Sequence, residues 1–184
     1  MHPGNMHFGI KPYASEILAK EIDKYGLSFG TAYGGITTLY NGNCTLLLVD
    51  VEGAVVLQFS VAGDEDTRYN PFTYLNALVP GGASQHPLIA FEKAPGEERI
   101  KIELDRIRQV LSSGAFDPVL HGEKEWISAY LSFEAEYERL DTLRYLPPLL
   151  GHPEEVAIRK KKGSYDLTWM DDVRRILAEQ ESQS

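Results

Sequence analysis

Three apolar runs limit the folds open to this chain more than any other feature. Ile36 to Tyr40, Cys44 to Val49 and Ala54 to Val61 are dense in Ile, Val, Leu, Thr and Phe, and are separated by Asn41-Gly42-Asn43 and by Asp50-Val51-Glu52-Gly53. Such residue types suit the half-buried pleated surface of a strand. Glycine in a short connection supplies the positive φ that a tight hairpin demands. The runs therefore predict an antiparallel meander. A further strand is expected ahead of it, around Ser28 to Ala32.

Helical spacing flanks the meander on both sides. Ile17, Leu18 and Ile22 follow Ser15, read as an N-cap, and Gly26 is placed to end that helix. After the acidic turn expected at Gly63-Asp64-Glu65-Asp66, Phe72, Leu75 and Leu78 or Val79 suggest a short helix that stops at Pro80-Gly81-Gly82. Ile100, Leu104, Ile107 and Leu111 step by four, three and four, which puts one apolar ridge along a helix ending near Ser113-Gly114. Trp126, Tyr130, Phe133, Tyr137 and Leu140 repeat that step. A last helix is expected from Thr168, with Asp171 three residues on as its capping-box partner. One helix, then strands, then helices predicts an α+β fold: an antiparallel β-meander in the N-terminal half packed against helices, and a mostly helical C-terminal half.

Length bears on domain count, since a domain of about 150 residues already buries roughly 70% of its unfolded surface. The 184 residues are read as one domain, 1–184, with a candidate internal linker over 80–96, where Pro and Gly concentrate. A formal charge of -9 repels phosphate backbones, so nucleic acid is not an expected partner. Cys44 is the only cysteine, which excludes an intrachain disulfide and suits a reducing cytoplasm. No apolar run approaches the roughly 20 residues of a membrane-spanning helix, and Met1 to His7 lack the basic and apolar regions of a secretory signal. The expectation is a cytoplasmic protein without membrane contact.

Motifs for chemistry are sparse. No Gly-x-x-x-x-Gly-Lys-Ser/Thr loop occurs, and Gly26, Gly30, Gly34 and Gly35 suit turns and strand bends better than a phosphate cradle. His2, His7, His86, His121 and His152 never fall at the i, i+4 spacing that sets two ligands on one helical face. Surface or capping roles are expected for them. Cys44 sits in a strand pattern where a thiol behaves as a small hydrophobe. Ser84 lies two residues before His86, a spacing that does not by itself make a nucleophile and base. Arg159-Lys160-Lys161-Lys162 reads as a solvated loop. No cofactor or metal is expected.

The densest functional signal lies between Glu123 and Asp141. Glu123, Glu125, Glu134, Glu136, Glu138 and Asp141 stand there against only Lys124 and Arg139. At 100° per residue from Trp126, the residues Tyr130, Phe133, Tyr137 and Leu140 fall within about 40°, while Glu123, Glu134, Glu138 and Asp141 fall at about 60° to 120°. Four carboxylates thus line one flank of an aromatic seam. Lys101 and Arg108 on the preceding helix offer internal partners for them, and that pairing stays open beside the alternative of an exposed binding face. As a face, Glu123, Glu134, Glu138 and Asp141 would steer a basic protein, with Tyr130 and Tyr137 as aromatic contacts.

With these residues in view, the layout resembles small uncharacterised bacterial proteins, some of which are immunity partners of polymorphic toxins. The likeness rests on Lys24-Tyr25-Gly26-Leu27-Ser28-Phe29 after a first helix, on the hairpin from Val49-Asp50 to Val56, and on the Trp126 to Leu140 helix with Glu136-Tyr137. It covers roughly residues 15 to 140 as a pattern of elements and transfers no functional residue. What it implies is a non-enzymatic, immunity-type inhibitor that covers a basic partner such as a toxin. The alternative reading is an enzyme or a small-ligand-binding regulatory domain whose site gathers distant residues, His86, His121, His152 and carboxylates among them.

Overall fold

The computed structural model describes residues 9–30, 35–51, 54–86, 88, 94, 96–146, 148–161 and 166–183. The chain divides into two compact units, Met1–Trp126 and Ile127–Ser184. Within the 80–96 linker segment, positions 87, 89–93 and 95 lie outside the described residues, as do His2, His7, Gly34, Gly53 and Lys162. The fold is α+β: an antiparallel sheet occupies the N-terminal half, and the C-terminal half is mostly helical.

The first unit opens with α1 (Ile10–Ile17) and α2 (Ala19–Lys24). Ser15 does not cap this segment. It lies within α1, and its Oγ donates back to the Pro12 carbonyl at 2.7 Å, the local bond that Ser makes when a helix has already started upstream. Gly26 does end α2. At φ +61° it donates to Asp23 O while Leu27 N–H reaches Ile22 O, which satisfies two orphan carbonyls in a Schellman motif.

The strands β1 (Ser28–Phe29), β2 (Ile36–Tyr40), β3 (Cys44–Val51), β4 (Ala54–Val61) and β5 (Asp64–Tyr69) lie in sequence order, each antiparallel to the next. Register sets Leu39 beside Leu46 and Leu46 beside Phe59, with Leu48 beside Leu57 and Cys44 beside Val61. Because side chains alternate along a strand, all of these share one buried face. Asp64 to Asp66, read from sequence as a turn, begins β5 instead. The turn is Ala62-Gly63, with Gly63 at φ +83°, and Tyr69 is the one strongly buried side chain of this polar edge strand.

Helices α3 (Pro71–Leu78), α4 (Gly82–Gln85), α5 (Gly96–Ser112) and α6 (Asp117–Leu120) complete the unit. Asn70 caps α3 by accepting from Phe72 N–H, and Pro71 takes the first helical position, where no N–H is needed. α5 lays Ile100, Leu104, Ile107 and Leu111, all buried, against the sheet and α1. The carboxylate of its buried Glu103 accepts both Val55 N–H of β4 and Arg99, tying helix to strand. Phe59, Tyr69, Tyr74, Phe116 and Trp126 form an aromatic cluster, with ring centroids 5.0 to 5.7 Å apart for the Phe59 pairs and for Trp126 with Tyr69 and Tyr74.

In the second unit, α7 (Trp126–Leu143, its first residue in the first unit), α8 (Glu155–Lys160) and α9 (Thr168–Glu181) bury Leu140, Leu149, Ile158, Trp169, Met170, Val173 and Ile176 together. The basic run is not a solvated loop. Arg159 and Lys160 close α8, Arg159 pairs with Glu155 at 2.6 Å, and Lys161 reaches Asp172 of α9 at 3.0 Å. Nor does Thr168 cap α9 with Asp171. Asp166 accepts both the backbone N–H and the hydroxyl of Thr168, and Asp171 is held by Arg174.

Candidate functional site

The acid-rich helix forms where the periodicity places it, and its seam faces inward. Trp126 is buried among Phe59, Tyr69 and Tyr74, and its indole N–H donates to Glu123 O at 2.7 Å. Tyr130 is only 2% exposed, and its hydroxyl donates to Glu134 Oε1 at 3.1 Å. Tyr137 is half-buried and meets the Trp169 ring edge-on at 5.5 Å, within the core of the second unit. The two tyrosines expected as aromatic contacts for a partner are therefore committed to packing, and the carboxylates are what the flank presents.

Those carboxylates have different fates. Glu123 is exposed and belongs to the first unit. On α7, Asp141 holds the Arg144 guanidinium. Glu136 binds Arg139 at 2.8 Å and Arg174 of α9 at 3.1 Å, and these hydrogen-bonded cations hold its carboxyl below the ordinary glutamate range. Glu134, half-buried, accepts from the Tyr130 hydroxyl, and Glu138 is exposed. Neither has a cation against it among the described ion pairs. The cations weighed as internal partners are engaged within the first unit. Arg108 is bound to Asp105 at 2.7 Å on its own helix, and Lys101 Nζ lies 5.4 Å over the Tyr13 ring.

Of the candidates for catalysis, His86, His121, Ser84 and Cys44 belong to the first unit and His152 to the second. His121 follows α6 with its ring 6.1 Å from that of Tyr25, and His152 Nδ1 accepts Glu154 N–H at 3.2 Å. His86 follows α4, while the Ser84 hydroxyl donates to Gly81 O. Burial pushes the Cys44 thiol up to about 11, so at neutral pH it carries no thiolate to attack with. No group of three or more His, Cys, Asp or Glu among the described residues is arranged to hold a metal ion. No helix among them is long and apolar enough to cross a membrane.

The second unit also holds a charged residue that the stepping of apolar residues does not mark. Arg144 is fully buried, with its guanidinium 3.8 Å over the Trp169 ring. A signal for it exists. Eighteen residues at 100° each bring position 144 back to the bearing of Trp126, so a permanent charge stands in the middle of the apolar seam. No family model, curated protein or solved structure matches the chain.

Proposed function

We propose that the protein is a non-enzymatic interaction protein, acting in the cytoplasm, that binds a basic protein surface through the acidic side of α7. An immunity-type inhibitor that covers the cationic cleft of a toxin is the form this takes. The observation that carries it is the pair Glu134 and Glu138, one helical turn apart, unneutralised while the arginines of the same unit are drawn to Glu136, Asp141, Asp171 and Glu154. Like charges at i and i+4 cost helix stability by a few tenths of a kcal/mol, so this placement is not there for the helix. It suits a surface that steers a cation-rich partner and orients Arg or Lys side chains. The net charge of -9 acts in the same direction at longer range.

The test is capture from a lysate of the native host by the wild-type chain and by the double variant Glu134→Lys, Glu138→Lys, at two ionic strengths. A basic protein retained by wild type, weakened by salt and lost with the variant is expected, with both proteins melting within a few degrees of each other. A partner held equally by wild type and variant, or insensitive to salt, overturns the acidic face.

A further inference from the structure

The second unit carries a cation whose hydrogen bonds are unfinished. Arg144 is fully buried and Asp141 takes its Nη2, yet its Nε and Nη1 are enclosed without a hydrogen-bond partner among the described residues. A guanidinium is a permanent cation with five N–H donors in a fixed fork and no acceptor. Arg159 repeats the condition. Its Nη2 meets Glu155 at 2.6 Å while its Nε is buried and unpartnered. Both guanidiniums come to the same ring, Tyr145, at 6.0 and 5.4 Å from its centroid. Each guanidinium has one carboxylate partner, and the donors left over on both are brought to one aromatic side chain.

The rim of this place is apolar and open. Tyr145 is 41% exposed, the adjacent Leu146 43%, and Val156, one turn before Arg159 on α8, 64%. Exposed aliphatic side chains close in sequence to the buried Arg144 and the partly exposed Arg159 match a molecule with a charged head and an apolar body. A carboxylate supplies two acceptor oxygens in the plane a guanidinium prefers. We infer that the corner between α7 and α8 binds an organic carboxylate with an apolar body, its head at the free donors of Arg144 and Arg159 and its body along Tyr145, Leu146 and Val156. The exposed Tyr145 is the side chain that must swing aside for entry. This site shares no residue with Glu134 and Glu138, so the two proposals stand or fall separately.

The full chain is titrated calorimetrically with hexanoate, acetate and inorganic phosphate at constant ionic strength, with melting temperature as a second readout. Each buried methylene is worth roughly fourfold in affinity. With about half of the four extra methylenes buried, saturable hexanoate binding at least about tenfold tighter than acetate is expected, with phosphate no tighter than acetate. Arg159→Gln removes a half-exposed side chain whose loss the core tolerates. It is expected to melt within a few degrees of wild type and to weaken hexanoate about tenfold or more. Glu134→Lys with Glu138→Lys should leave hexanoate affinity unchanged. Absence of saturable hexanoate binding, phosphate binding as tight as hexanoate, or an Arg159→Gln variant that binds like wild type overturns the assignment.

Discussion

Single residues here act through geometry that their type makes available or withholds. Gly42 is the middle of the three residues joining β2 to β3, at φ +85°, and a Cβ built there would meet nothing within 4 Å. The cost of a side chain is then backbone strain alone, about 1 to 2 kcal/mol for an L-residue and more when it is β-branched. Gly42→Val is expected to melt several degrees lower, since each kcal/mol shifts a chain of this size by roughly 2 to 4 °C. Melting curves for Gly42→Ala and Gly42→Val check this, and a Val variant that melts like wild type would exclude the turn. Asn41 shows the complementary behaviour. Its Oδ1 accepts from Asn43 and Cys44 N–H, and its Nδ2 donates to the carbonyls of Tyr25 and Leu120, so a turn residue also pins two distant loops.

At the scale of elements, apolar periodicity decided what was legible. β2 and β4 occupy the predicted residues, β3 runs two residues past its predicted end at Val49 to Val51, and α5 and α7 follow their four-three stepping, because each buries a continuous apolar face. β5 and α8 escaped for the opposite reason. Asp64 to Tyr69 has a single buried side chain to contribute, and the charged end of α8 is held by ion pairs that no spacing announces. The α7 to α9 contact is partly electrostatic, through Glu136 with Arg139 and Arg174. Because those cations depress the Glu136 pKa, the unfolded chain takes up the proton first as pH falls. The stabilisation is present above the ordinary value of 4.5 and is lost as pH drops below it toward the depressed one. Partly exposed pairs contribute about 0.2 to 1 kcal/mol each. Glu136→Gln should therefore melt a few degrees below wild type at pH 7, with the gap narrower at pH 4, below the ordinary glutamate value. Paired melts at the two pH values measure it, and a gap that persists in acid would assign the loss to packing.

For the whole molecule, charge and composition bear on behaviour in solution. With a net charge of -9 at pH 7 and an isoelectric point near 5.0, repulsion between copies should keep the protein dispersed at neutral pH and vanish around pH 5. A solubility minimum near pH 5, followed by turbidity against pH, is the expected outcome; a minimum well away from it would mean that exposed apolar side chains govern association. The sequence alone determined the α+β class, the order of the meander and the two long helices, because strand and helix periods are local properties that one buried face imprints on consecutive residues. It also marked Glu134 and Glu138 as flanking the seam. Only the tertiary structure decided that Tyr130 and Tyr137 pack inward, that Glu136 and Asp141 are neutralised while Glu134 and Glu138 meet no cation among the described residues, and that Arg144 and Arg159 meet at Tyr145. Those outcomes depend on which side chains from distant positions arrive at the same place, and the spacing within a single helix does not encode that.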